Sequence, residues 1–237
     1  MFIVTMVKSL LSIPRRDFLK TGIGGIIGIS LPNVVVGEDK GEEPDYFPLH
    51  VGDWWRYNVQ RGQPPYQCTI SVSGTEEIDG KEYTLFKRKN LPSWESQTST
   101  RRLRKVGNKV YEYIEERDPK EKLVYNFDAQ VEEEWQTHYN CLMYIVKKDN
   151  IVTVPAGTFE DCIRMALSCL SIYGADSLWF APNVGFIKKQ NPGYIKGYRP
   201  PEYSVGPPTE TLESAVINGV HIGIPSEVDE ESWKIYK

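Results

Sequence analysis

Histidine is scarce in this sequence. Three occur in 237 residues, His50, His138 and His221, which nearly excludes a multi-histidine metal centre. The four cysteines, Cys68, Cys141, Cys162 and Cys169, form no Cys-x-x-Cys pair, so neither a zinc ribbon nor a thioredoxin-type redox site is indicated. No Gly-x-Ser-x-Gly elbow is present, and no phosphate-cradling or dinucleotide-binding glycine loop. No internal repeat is seen, and no stretch after residue 37 sustains a helical apolar stripe.

What is present suits strands. Aromatics make up 12% of the chain, with 14 Tyr and 6 Trp, beside 40% apolar and 25% charged residues, a globular balance. From residue 54 onward the pattern has period two. Cys68, Ile70 and Val72 alternate with Thr69, Ser71 and Ser73, and Tyr83 and Leu85 flank Thr84. Ile163, Met165 and Leu167 alternate with Cys162, Arg164, Ala166 and Ser168. Each pattern places one face inward and one toward water, as half-buried antiparallel strands do.

Turn dipeptides punctuate these runs at Asp79-Gly80, Gly107-Asn108 and Asn218-Gly219, the first two reading as hairpins. Residues 191–210 hold five prolines and cannot form a central strand. A long surface loop is expected there, with Tyr194, Tyr198 and Tyr203 either packing on the sheet or forming a binding lip. The tail 227–237 is expected as a short helix capped by Ser226. The expected fold class is mainly β: a single curved antiparallel meander sheet or half-barrel, with a long proline-rich loop and little helix.

Residues 1–37 differ in character. They hold four cations and one acid, a charge of +3, which leaves −7 on residues 38–237 against −4 for the whole chain. A basic start followed by the apolar, glycine-rich run 21–36 is the layout of an export signal. Within it, Arg15, Arg16, Phe18, Leu19 and Lys20 resemble the twin-arginine signal, with Pro14 where that signal has Ser or Thr. The alternative is a membrane anchor, but the apolar run is shorter than the ~20 residues that span a bilayer. Two segments are therefore expected: a signal at 1–37 and an exported β domain at 38–237, in the periplasm or outside the cell. An oxidising compartment permits disulfides; buried small hydrophobes are the favoured role for the four cysteines.

Two motifs carry a wider resemblance. One is Tyr46-Phe47-Pro48-Leu49-His50-Val51-Gly52-Asp53-Trp54-Trp55. The other is Val154-Pro155-Ala156-Gly157-Thr158-Phe159, followed by Trp179-Phe180-Ala181-Pro182-Asn183-Val184-Gly185. In this order they resemble a loose group of exported bacterial β-proteins without assigned function. That resemblance implies an extracytoplasmic, curved antiparallel sheet approaching the half-barrel of lipoprotein carriers, and it brings no catalytic residues. Physically the motifs are turn residues and aromatic plugs. Pro155–Gly157 and Pro182–Gly185 suit turns, and Gly52 with Trp54 suits a bend whose tryptophan covers an open end of the sheet.

Candidates for chemistry are few. Glu132-Glu133-Glu134 reads as a solvated loop, with calcium binding as the lesser alternative. Arg101-Arg102-Leu103-Arg104-Lys105 would split its charges between two strand faces, a poor nucleic-acid stripe in an acidic chain. His138 near Cys141 could be a thiol–imidazole pair, but a partnered histidine beside a buried thiol is the simpler reading. No catalytic or metal residue and no cofactor is assigned. Two function classes follow. The first is a non-enzymatic protein binding a small apolar ligand or an envelope partner, with no nucleic acid and only transient membrane contact through the signal. The second is a secreted hydrolase with dispersed carboxylates.

Overall fold

The computed structural model describes residues 43–60, 65–91, 99–138, 140–169, 175–191 and 209–223. The export segment with Arg15, Arg16, Phe18, Leu19 and Lys20 lies outside the described residues, as do residues 192–208 of the proline-rich loop and the tail 227–237.

All regular structure among the described residues is strand. In chain order the strands are β1 (Trp54–Gln60), β2 (Tyr66–Ile78), β3 (Lys81–Leu91), β4 (Ser99–Val106), β5 (Lys109–Tyr113), β6 (Glu121–Asn126) and β7 (Glu134–Gln136). They continue as β8 (Leu142–Val154), β9 (Gly157–Ser168), β10 (Asp176–Ala181), β11 (Gly185–Gln190), β12 (Thr209–Ile217) and β13 (Val220–Gly223). All belong to one sheet of antiparallel ladders, in the order β6-β5-β4-β3-β2-β1-β12-β11-β10-β9-β8-β7, with β13 beside β12. Two meanders, β1–β6 and β7–β12, are thus joined by the β1–β12 ladder, and the curved sheet nearly closes into a barrel. Each inward-facing position then meets side chains from across the lumen.

The seam lies between β6 and β7. The Trp135 indole donates to the Val124 carbonyl at 2.9 Å, Lys148 Nζ to the Phe127 carbonyl at 3.3 Å, and Val131 bridges Ile145. These bonds satisfy backbone groups that a bare sheet edge would leave open to pairing with another chain.

The hairpins obey turn chemistry. Asp79-Gly80 and Asn218-Gly219 have positive φ at both positions (51° and 71°, 48° and 79°), as tight type I′ turns demand. All three turn dipeptides join paired strands.

The core is aromatic. Phe47 packs against Phe86, Tyr125 and Phe180 with ring centroids 5.7, 5.2 and 6.3 Å apart, and Phe127 and Phe186 extend the stack onto Phe180. A second apolar cluster gathers Trp55, Tyr57, Ile70, Val72, Ile187 and Leu212, and Phe86 and Phe186 touch both clusters. Burying each such ring contributes about 1.5–3 kcal/mol, so this filling is the main term holding the barrel.

Three expectations need correction. Cys162 and Ala166, placed on the outer face by simple alternation, are buried with Ile163 and Met165. For Cys162 the irregularity is local: Asp161 has a φ of 52° and the β8–β9 register shifts three times between Ile145 and Val152. Ala166 lies beyond these shifts, pairs with Tyr144 and Ser177 and keeps the parity of Arg164, so it is a small side chain buried on the face that alternation gives it. The tryptophan that fills the sheet is Trp55, not Trp54, because β1 starts one residue after Asp53 and turns its odd-numbered positions inward. Cys141 and Cys169 are joined in a disulfide that closes a 28-residue separation, whereas Cys68 and Cys162 are the buried thiols expected of all four.

Candidate functional site

The two motifs meet at one end of the barrel. Asn183 in the β10–β11 turn donates its backbone N–H to the Asp45 carbonyl at 2.6 Å, and Asp45 N–H returns a bond to Asn183 Oδ1 at 3.0 Å. Trp55 Nε1 donates to the Val184 carbonyl at 2.8 Å, and the Tyr57 hydroxyl donates to the Phe186 carbonyl at 2.8 Å. Gly185, at a φ of 88°, lets Pro48 come close: an added Cβ would lie 3.2 Å from its Cδ. Ala156 of the other turn donates to the Leu212 carbonyl at 3.0 Å. The motif residues therefore lock the sheet onto itself.

Asp53 anchors the same end. Buried to 1% exposure, its carboxylate accepts the N–H groups of His50 at 3.0 Å and of Asn218 at 2.7 Å. His50 Nδ1 lies 3.1 Å from Asp53 Oδ2, while most of the imidazole faces solvent. The pair pins the entry to β1 against the β12–β13 turn.

Beside the aromatic core the inner face carries a collar of charge pairs. Arg88 on β3 forks onto Glu210 of β12 at 2.7 and 3.3 Å, and Arg101 on β4 onto Glu112 of β5 at 2.6 and 3.0 Å. Lys189 on β11 meets Asp176 of β10 at 3.0 Å. Register places each of these on the inward face: Arg88 pairs with Ile70, Arg101 with Phe86, Glu112 with Leu103 and Lys189 with Leu178. Burial works against the Arg88 charge, but the Glu210 carboxylate outweighs it and raises the pKa above the ordinary arginine value. Forked arginine–carboxylate geometry fixes both partners in direction as well as distance.

The candidates for chemistry resolve as follows. His138 is buried and donates from Nε2 to the Glu112 carbonyl at 2.9 Å, and Cys141 is in the disulfide, so the thiol–imidazole pair does not exist. Burial pushes the Cys68 thiol up to about 12, and burial with the Asp161 charge does the same to Cys162. Both are therefore held as thiols, not as nucleophilic thiolates. Glu132, Glu133 and Glu134 are solvent-exposed, with Glu133 accepting from Gln130 N–H at 2.8 Å. The basic run splits as its spacing predicts: Arg101 to Glu112, Arg102 to Glu76, Arg104 to Glu121 and Lys105 to Asp45. Among the described residues no three His, Cys, Asp or Glu side chains gather as a metal group.

Sequence reasoning missed an arrangement on the outer face. Trp179 on β10 stands directly between Arg164 of β9 and Lys188 of β11 in register. The Arg164 guanidinium lies 5.3 Å and the Lys188 ammonium 5.0 Å from the ring centroid, both within cation–π range. Lys147 of β8 pairs with Arg164 and extends the row. These residues are 9–41 positions apart in sequence, and only strand register brings them together, so no local signal announces them.

No protein-family model matches this chain, and no curated protein matches it. Two solved structures are similar to it. One is a protein of Bacteroides fragilis NCTC 9343 described as a candidate exported protein with a YmcC-like fold, at 12% identity and a TM-score of 0.43 over 73% of this chain and 99% of that one. The other is a candidate lipoprotein of Parabacteroides distasonis ATCC 8503, at 16% identity and a TM-score of 0.42 over 74% of this chain and 100% of that one.

Proposed function

We propose that this chain works outside the cytoplasmic membrane as a non-enzymatic binding protein that recognises an envelope partner. Export by the twin-arginine route is part of the proposal, on the strength of Arg15, Arg16, Phe18, Leu19 and Lys20 ahead of an apolar run. The Cys141–Cys169 bond supports the same compartment, since such bonds persist where the surroundings are oxidising.

The observation that carries the binding role is the filled interior. Tyr57, Leu103, Phe180, Ile187 and Leu212 are each at most 1% exposed, and the aromatic stack occupies the space that an enclosed apolar molecule would take. Carriers of such molecules keep a concave, largely preformed pocket. A packed barrel instead offers its outer surface, which favours a partner over an enclosed ligand.

Native mass spectrometry of the protein purified gently from the exported fraction tests this, together with crosslinking in the intact envelope. A chain free of small-molecule mass, crosslinked to one defined envelope component, is the expected result. A retained apolar molecule would overturn the reading in favour of a carrier. Turnover in a screen of ester, glycoside and phosphoester substrates would overturn it in favour of a hydrolase.

A further inference from the structure

Most basic side chains with a described partner are matched to an acid. Arg56 faces Glu213, Lys81 faces Glu121 and Arg102 faces Glu76, as Arg88, Arg101 and Lys189 face theirs inside. The outer row across β8–β11 is different. Among the described residues no carboxylate pairs with Lys147, Arg164 or Lys188, and the nearest acids in sequence on β10 and β12, Asp176 and Glu210, take part in the inner collar. Arg164 donates from Nη2 to the Ser177 hydroxyl at 2.9 Å and leaves Nε without a hydrogen-bond partner.

Trp179 organises the row. Its direct neighbours on both sides are cations, so its ring holds two positive charges apart at two strand spacings, about 10 Å. With both cations over the indole, the ring serves to orient charge. Beyond Lys188 the same register row continues through Thr211 of β12 to Asn58 of β1, both half-buried neutral hydrogen-bonding side chains. Three cations followed by a hydroxyl and an amide thus run around the barrel perpendicular to its strands.

We propose that this row, Lys147–Arg164–Trp179–Lys188–Thr211–Asn58, is a binding track for an acidic polysaccharide. The inference rests on the proposed role as an envelope binding protein and names the chemistry of its partner. Charge complementarity requires repeated acid groups, which meet Lys147, Arg164 and Lys188 in turn, while Thr211 and Asn58 suit sugar hydroxyls. Curvature favours a polymer over a bilayer. The row follows the convex circumference across six strands, a path that a chain can follow but a flat lipid surface touches only in part.

The test is binding of the full chain to immobilised polygalacturonate, with neutral dextran and phosphatidylglycerol vesicles as comparisons. Salt-sensitive retention on polygalacturonate alone is expected. Replacing Lys147, Arg164 and Lys188 together by Gln should weaken it by about tenfold or more, because the interaction is carried by screened charge. The double variant Lys147→Gln, Lys188→Gln leaves the Ser177 contact in place and should show a smaller loss in the same direction. An equal change of charge at the paired residues Lys81, Arg102 and Lys120, the last facing Glu115 at 2.6 Å, should leave binding unaltered. Equal losses from both sets, vesicle binding without polymer binding, or no retention at all would each overturn the track. If retention fails while envelope crosslinking still finds one defined protein, the track is wrong and the binding role stands. If a small apolar molecule is found in the barrel, the binding role itself falls.

Discussion

Trp55 and Val184 are 129 residues apart in sequence and are joined by a 2.8 Å hydrogen bond from the indole N–H to the backbone carbonyl. That bond ties the first strand to the β10–β11 turn at the point where the two sequence motifs meet. Its neighbour Trp54 faces outward, and its indole nitrogen has no hydrogen-bond partner. The two tryptophans should therefore respond differently to the same change. Trp55→Phe leaves a buried carbonyl without its donor and should cost about 2–3 kcal/mol. Trp54→Phe should cost less than about 1 kcal/mol, since it removes a buried donor that has no partner. Thermal unfolding followed by circular dichroism reads both; equal losses would mean that the Val184 bond does not hold the end of the barrel.

The Cys141–Cys169 bond links the approach to β8 with the end of β9, across a separation of 28 residues. Closing a loop of that length restricts the unfolded chain and should contribute about 3–4 kcal/mol in the chain-entropy account. Cys141→Ser with Cys169→Ser should lower the denaturation midpoint accordingly, and reduction should do the same to the unaltered protein. Thiol labelling gives the independent check: two cysteines, Cys68 and Cys162, should react under non-reducing conditions, and only after unfolding. Four reactive thiols in the oxidised protein would refute the pairing.

Local chemistry was legible in the sequence, and long-range pairing was not. The alternation of Cys68, Ile70 and Val72 marks an inward face because side chains on a strand repeat every two residues. Asp79-Gly80 and Gly107-Asn108 mark hairpins because their backbone takes positive φ at Asp79, Gly80 and Gly107 with little strain. Nothing within a strand says which distant strand it meets. The β1–β12 ladder, the fork of Arg88 onto Glu210 and the sandwich of Trp179 between Arg164 and Lys188 depend on partners 9 to 162 residues apart. Cys162 shows the converse, since one left-handed residue, Asp161, overturns an otherwise sound alternation. The same limit explains why neither the collar nor the outer row was foreseen.

Two glycines that both have positive φ separate backbone strain from crowding. Gly219, at a φ of 79°, faces open space, whereas a Cβ on Gly223, at 85°, would run into the Glu213 carbonyl and lie 3.2 Å from the Ala156 backbone. Gly219→Ala should cost about 1 kcal/mol, the penalty of an L residue at positive φ. Gly223→Ala must also push apart β12 and the β8–β9 turn, and should cost about 3 kcal/mol or more. Urea denaturation of the two variants is the comparison. If Gly223→Ala were as mild as Gly219→Ala, the close approach of the β8–β9 turn to β13 would be wrong.

Alkaline pH offers a test of the buried thiols. Cys68 and Cys162 are raised from an ordinary value of 9.0 to about 12, chiefly by burial. Below pH 9 both folded and unfolded chains keep these protons, so the thiols add no pH dependence. Between 9 and 12 only the unfolded chain releases them, so stability falls as pH rises, and the effect levels off once the folded thiols ionise as well. Replacing both by Ala should lower stability at pH 7 through two small cavities, yet flatten the decline above pH 9. Tyr57, raised well above 10.0 by burial, supplies a remaining slope that Tyr57→Phe should reduce further. The quantity to read is the change of unfolding free energy with pH, measured by urea titrations from pH 8 to 11. An identical slope in the double cysteine variant would show that these thiols are already open to solvent in the folded protein.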